Sequence, residues 1–169
     1  KLGLPIHHFI AANNRNKVVT NYLESEVYNP EPTIQTLSNA MDVGNPSNFI
    51  RIQEIFKNDF NVLKSNLSSF SYTDEETLTG MKELFENYNY VADPHGAIGF
   101  LAAKEYQKEH PDTHAVFLET AHPTKFLDVV EQVIPMKIEL PPQIKAVMDD
   151  DKKSIHISTY DELKTILLK

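Results

Sequence analysis

The sequence predicts an α/β domain with a small-anion site, and two joins between secondary-structure elements carry that prediction. In the first, the apolar run Ala115-Val116-Phe117-Leu118 reads as a buried strand. It passes through Glu119-Thr120-Ala121-His122 into Pro123, a residue suited to a helix's first turn, and helical apolar spacing continues from Lys125 to Val133. In the second, the strand pattern from Ile6 to Ala12 gives way to Asn13-Asn14-Arg15-Asn16 and then to a helical pattern through Val18, Val19, Tyr22 and Leu23. A strand that feeds a helix is half of a βαβ unit, and its loop opens at the carboxyl edge of a sheet, where open α/β folds hold ligands.

The remaining elements follow in chain order. Lys1-Leu2-Gly3 has the look of a helix end, a cation in the last turn followed by a glycine stop, which makes the chain read as a piece of something larger. Tyr28-Asn29-Pro30-Glu31-Pro32 ends the first helix, because two prolines so close exclude regular structure. Thr36 to Asn48 is dense in small and amide residues. Asn45-Pro46 then starts a helix with Phe49, Ile52, Ile55 and Phe56 on its core face. Asn58 to Ser71 reads as a mixed, partly helical connection. Thr73-Asp74-Glu75-Glu76 is a capping box that opens a helix to about Tyr88, and Asn89 to Ala92 is a brief strand candidate.

Asp93 is the expected N-cap of the next helix, with Pro94 at its first position. That helix is apolar almost all round from Ala97 to Ala103, so it is buried on more than one side. After the helix that follows Pro123, the prolines at 135, 141 and 142 break up the chain, and Asp149 to Lys153 is a solvated charge run. Ile155-His156-Ile157 alternates as a short strand, and Thr159 to Glu162 is a second capping box that opens a terminal helix. Residues 1–134 are read as the main α/β unit and 135–169 as a C-terminal extension with a short strand and terminal helix.

Composition narrows the function classes. The 169 residues carry no cysteine, so neither a disulfide framework nor a thiolate metal site is available. A net charge of -8 opposes nucleic acid and anionic membrane as partners, no apolar run approaches spanning length, and a cytoplasmic setting is expected. His110 and His114 have a metal-like spacing that Pro111 spoils, and the adjacent His7 and His8 face opposite sides of a strand, so no metal site is expected. With five glycines the chain has no dinucleotide pattern and no phosphate loop. Thr120 is open to two readings: a buried hydroxyl that satisfies the backbone, or a partner for a heteroaromatic ring nitrogen. His95 and His122 lie at helix N-termini, where a cap and an anion-facing role are both open. Arg15 and Arg51 are the only arginines, and both sit in amide-rich joins.

Several stretches then fall into one pattern. These are Gly3-Leu4-Pro5-Ile6 into Phe9-Ile10-Ala11-Ala12-Asn13; Leu37-Ser38-Asn39-Ala40-Met41-Asp42-Val43 with Asn45-Pro46-Ser47-Asn48-Phe49 and Arg51; Asp93-Pro94-His95-Gly96-Ala97; and Thr120-Ala121-His122-Pro123-Thr124-Lys125-Phe126. In this order and spacing the chain resembles the C-terminal half of the threonine synthase family, across most of residues 2 to 134. The resemblance implies a three-layer αβα fold with a mainly parallel sheet, the C-terminal part of a fold-type-II pyridoxal-phosphate enzyme. It also implies a lyase of threonine biosynthesis that uses pyridoxal 5'-phosphate to convert O-phospho-L-homoserine and water to L-threonine and phosphate.

Carried over by position, the resemblance places Thr120 against the cofactor's pyridine nitrogen. His122, Lys125, His95, Asp42, Asn45, Ser47, Asn48 and Arg51 become candidates near substrate or cofactor. The Schiff-base lysine and the phosphate-binding loop belong to the family's N-terminal half, and nothing in this chain matches them. The chain alone is therefore expected to be inactive and to partner that missing half. Two other readings stand beside this one: a noncatalytic α/β ligand-binding or interaction domain, and another pyridoxal-phosphate lyase of the same fold.

Overall fold

The computed structural model describes residues 3–168, so the helix-end reading of Lys1-Leu2 lies outside the described residues. The fold is mixed α/β, and its sheet is parallel as expected. Strand β1 (Phe9–Asn13) leads through the asparagine turn into α1 (Val18–Ser25). The strand therefore starts later than Ile6 and includes Asn13.

The other strand was hidden in the connection from Asn58 to Ser71. That stretch folds as α3 (Phe60–Asn66), capped by the Asp59 carboxylate on the Val62 N–H, and runs without a break into β2 (Leu67–Ser71). β2 pairs in parallel with β1 in the register Phe9 to Leu67 through Asn13 to Ser71. Three of its five residues are serines, so the apolar alternation that reveals a strand is missing. Polar pairing replaces it: the Ser69 hydroxyl donates to the Ala11 carbonyl, and the Asn13 amide donates to Ser69 Oγ at 2.8 Å. His8 also bonds Ser68 Oγ at 2.8 Å and stacks on Tyr106, an architectural role.

Elsewhere the local signals act as written. α2 (Phe49–Ile55) starts three residues after Pro46. It buries Phe49 under Tyr22 and Tyr28, whereas Ile55 is exposed rather than on the packed face. α4 (Asp74–Tyr88) opens on the complete Thr73–Glu76 capping box and packs along α5 (Pro94–Glu109), whose N-cap is Asp93. Pro123–Phe126 forms a 3-10 turn that continues into α6 (Leu127–Val133).

Among the described residues the buried apolar side chains form three clusters. One joins Tyr22, Leu23, Phe49, Leu63 and Leu67. A second joins Met81 of α4, Ala97 of α5, and Phe126, Val129, Val130, Ile134 and Ile138. A third joins Leu84, Ala92 and Phe100.

Three expected strands do not form among the described residues. Asn89 to Ala92 is irregular, and Ile155 to Ile157 pairs with no other strand. Ala115 to Leu118 has no regular structure and enters no ladder, and Val116 and Leu118 stand 87% and 76% exposed. A strand needs a neighbour to satisfy its backbone, and none of the described residues supplies one.

The chain divides into Lys1–Ile138 and Glu139–Lys169. The first unit extends past residue 134 because Ile138 is buried in its core. The second unit has α7 (Pro142–Lys145) and α8 (Tyr160–Leu167), the latter opened by the complete Thr159–Glu162 capping box. Among the described residues no helix is long and apolar enough to cross a membrane.

Candidate functional site

Three segments of the first unit converge at the carboxyl end of β1. The strand delivers Ala12, Asn13 and Asn14, the 3-10 turn Asn39–Met41 and its N-cap deliver Ser38 and Met41, and the first turns of α5 deliver His95 and Ile98. Together they line a cavity of about 130 Å³.

The asparagines are held in place by the chain itself. Asn14 is buried; its amide donates toward Thr36 Oγ1, Ser38 Oγ and Asp42 Oδ1, and its Oδ1 accepts from the backbone and side chain of Asn16. Asp42, a sequence candidate, closes this knot. Its carboxylate accepts from the Thr36 N–H at 2.8 Å, the Thr36 hydroxyl at 2.6 Å and the Asn16 amide at 3.2 Å. It is therefore a scaffold for the cavity wall.

His95 differs from its neighbours. It is half-buried, edge-on to the Phe126 ring, and its Nε2 is buried with no hydrogen-bond partner among the described residues. Burial pushes its imidazole below the usual range, against the pull of Asp93. The ring is thus neutral near pH 7, with one nitrogen available at the cavity wall.

The turn that carries Thr120 lies against the same helix start. Asp93 caps α5 by accepting from the His95 N–H at 2.6 Å and the Gly96 N–H at 3.4 Å. Glu119 Oε1 in turn accepts from the Asp93 N–H at 3.1 Å. The Glu119 carboxyl fits only because residue 96 is glycine: a Cβ there would lie 1.8 Å from Glu119 Oε2.

Next in the turn, Thr120 is exposed, and its hydroxyl makes no hydrogen bond among the described residues. His122 is the N-cap of the 3-10 turn, with its Nδ1 accepting from the Thr124 N–H at 3.2 Å, so its cap role is realised. Lys125 is exposed, with its ammonium 5.6 Å from the Phe126 ring centre.

Of the sequence candidates His95 lines this cavity, whereas Asp42, Thr120, His122, Lys125 and the remaining candidates do not. Asn45 is exposed and accepts from the Tyr28 hydroxyl at 3.0 Å. Ser47, Asn48 and Arg51 are exposed on the approach to α2 and on the helix itself, and Asn48 does not cap it through its side chain. Residues that sequence reasoning passed over as site members are Asn14, Ser38 and Glu119. Glu119 had a visible signal, a lone carboxylate at the end of an apolar run.

Comparison with known proteins places these motifs in context. A family model described as "Threonine synthase, C-terminal" matches residues 96–166. The threonine synthase of Buchnera aphidicola subsp. Acyrthosiphon pisum is 40% identical over 171 residues, covering 99% of this chain and 38% of the relative. That of Haemophilus influenzae is 37% identical over 180 residues, covering 99% and 39%. Among solved structures, threonine synthase from Escherichia coli superposes with a TM-score of 0.85 at 32% identity, covering 99% of this chain and 38% of that one. A pyridoxal-phosphate-bound threonine synthase from Brucella melitensis gives 0.74 at 28% identity, covering 97% and 40%. The chain thus spans about two-fifths of the length of the relatives it matches.

Proposed function

From the premise that this chain matches the C-terminal portion of threonine synthases in sequence and fold, we propose that it forms one wall of a pyridoxal-phosphate site that converts O-phospho-L-homoserine and water to L-threonine and phosphate. The observation that carries the reading is the pairing of two unpartnered neutral groups on the first turn of α5 and the turn packed against it. These are His95 Nε2, which is buried, and the Thr120 hydroxyl, which is exposed.

Those groups suit the cofactor. When bound, pyridoxal phosphate supplies an electron sink for proton removal from an amino-acid substrate. The chain's own part is to hold the ring's edge. The Thr120 hydroxyl would be the residue to hold the pyridine nitrogen and, being uncharged, would leave it largely unprotonated. His95, kept neutral by burial, offers the cavity a hydrogen bond without a second positive charge. Lys125 and His122 border the same turn, and the helix start adds partial positive charge for an anionic ligand group.

The Schiff-base lysine and the phosphate cradle come from sequence that this chain does not span, and the chain alone is inactive. The exposed Val116 and Leu118 support this division, because large apolar side chains on an unpaired segment await a covering partner. A main α/β unit followed by a C-terminal extension, and a cytoplasmic setting, belong to the same proposal.

The test is direct. The 169-residue chain mixed with pyridoxal phosphate forms no stoichiometric, borohydride-trappable absorbance band, whereas a polypeptide that also contains the family's N-terminal portion releases phosphate from O-phosphohomoserine. In that enzyme Thr120→Val lowers turnover more than cofactor retention, and unchanged turnover would sink the ring-nitrogen role.

A further inference from the structure

Two carboxyl groups meet at the start of α5, and each has hydrogen bonds at only one of its two oxygens among the described residues. Asp93 is fully buried, and its Oδ1 caps the helix, but its Oδ2 is buried with no partner among the described residues. Glu119 has the same asymmetry: Oε1 accepts from the Asp93 N–H, and Oε2 is buried without a partner. The two residues are joined directly by the Asp93 N–H on Glu119 Oε1 at 3.1 Å, which brings both orphaned oxygens to the same buried corner.

Two ionised carboxylates in that position would place like charges together in a desolvated site, with two orphaned acceptors. One proton between them removes the repulsion and satisfies both oxygens in a single bond. We propose that Asp93 and Glu119 share one proton, and that this carboxyl–carboxylate hydrogen bond is the positioning device that seats the Glu119–Thr124 turn, and with it Thr120, on the first turn of α5.

The surroundings agree. Burial, with Asp93 second, raises Glu119 to about 8. Tyr90, on the segment before α5, is raised by burial and by the same two carboxylates. The other titratable groups that face this corner are His95 on α5 itself, Lys125 on the 3-10 turn and Asp42 on the Ser38–Asp42 turn. His95 is half-buried and held neutral, Lys125 lies over the Phe126 ring, and Asp42 is bonded to Thr36 and Asn16, so none of the three is hydrogen-bonded to the pair. Gly96 is part of the device, since any Cβ at that position would expel the Glu119 carboxyl.

The functional consequence rests on the assignment of Thr120 to the cofactor; the shared proton does not. Infrared difference spectra of the full-length enzyme, labelled with ¹³C-carboxyl glutamate or aspartate, read the proton directly. A protonated-carboxyl band is expected at pH 6, disappearing as the pH rises through about 8, when the proton passes to solvent. A spectrum without that band at pH 6 would overturn the shared proton, whatever the enzyme's activity.

The positioning role is read from turnover. Glu119→Ala is expected to lower kcat by ~10-fold or more, because small displacements of a positioned group are costly. Loss of the shared proton above about pH 8 is expected to lower kcat; Glu119→Gln, whose amide can donate to Asp93 Oδ2 at every pH, is expected to recover most of the loss seen in Glu119→Ala and to abolish that alkaline decline. Equal kcat and an identical pH profile in wild type, Ala and Gln variants would overturn the positioning role. If the band is present while Thr120→Val leaves turnover intact, the Thr120 assignment fails and the shared proton stands.

Discussion

Replacing Gly96 with alanine tests the packing of Glu119 on α5 through the sign of an effect. On propensity alone the change should help, because alanine favours a helix over glycine by about 1 kcal/mol. The structure opposes it. The new Cβ would lie 1.8 Å from Glu119 Oε2 and 2.5 Å from its Cδ, against an ordinary contact of 3.4 Å or more. A flexible side chain end could retreat in water, but this one is buried, and retreat breaks its bond from the Asp93 N–H and the proposed shared-proton bond to the Asp93 carboxyl. Leaving a buried donor unpaired costs about 1–3 kcal/mol, and the lost bond to Asp93 adds about 1 more. Net destabilisation of ~1–3 kcal/mol is expected for Gly96→Ala after the propensity gain is subtracted. In a Glu119→Ala background the obstacle is gone, and the same substitution should stabilise by up to ~1 kcal/mol. Urea denaturation of the four proteins of this cycle, made in the full-length enzyme, provides the assay. A stabilising Gly96→Ala in the wild-type background, or the same effect in both backgrounds, would refute the packing.

Other perturbations have equally definite outcomes. Thr73→Ala should cost about 1 kcal/mol, since the hydroxyl caps the Glu76 N–H and the box is complete; thermal melts would show it. The Glu76 carboxylate is lowered by the Thr73 backbone and side-chain bonds, so its contribution is present above the ordinary carboxylate range and lost as pH falls through the folded value. Glu119 has the opposite sign: its contribution is complete below about 4.5 and is lost as pH rises through about 8, and Glu119→Gln should remove that slope from a stability–pH curve. Asp42→Ala should destabilise by about 3 kcal/mol, because it strips Thr36 and both asparagines of an acceptor. Met81→Ala should cost ~2–5 kcal/mol from a fully buried core site. A Gly44→Ala variant should disrupt the close pairing of Gly44 with Glu31, whose N–H bonds the Gly44 carbonyl at 3.0 Å, with its Cβ meeting the Glu31 backbone oxygen; wild-type stability would contradict that contact.

How much of this was written in the sequence depends on the range of the interaction. Capping signals act within four residues, and Thr73–Glu76, Asp93–Pro94 and Thr159–Glu162 all open helices where they stand. Strands need partners far along the chain. β2 was missed because Ser68, Ser69 and Ser71 hide its periodicity and its partner lies 58 residues earlier at Leu67 and Phe9. The run from Ala115 to Leu118 was read as a strand from its side chains, which is a statement about what the segment can bury, and no described residue pairs with it. The site shows the same division. Thr120 stands out at the end of an apolar run and His95 at a helix start, both local signals, while the interlocking of Asn14 with Ser38 and Asp42 depends on a fold that brings two distant loops together.

The position of Glu119 explains why motif and mechanism need not coincide residue by residue. Thr120, His122 and Lys125 carry the resemblance to threonine synthases, yet none of them anchors its own turn to the rest of the site: Thr120 has no described partner, His122 bonds only within the turn, and Lys125 lies over the adjacent ring. The anchor is Glu119, one residue before the motif, held by Asp93, one residue before the helix that carries His95. In the role proposed for Thr120, its hydroxyl would have to be exposed and unpartnered until the ligand arrives, so it could not also hold the loop. Anchoring therefore falls to a neighbour whose side chain points into the protein, and a carboxyl group suits that place because the start of a helix offers it backbone N–H donors and partial positive charge. The separation predicts different behaviour for adjacent residues: substitutions at Thr120 should alter chemistry at constant stability, and substitutions at Glu119 should move both together.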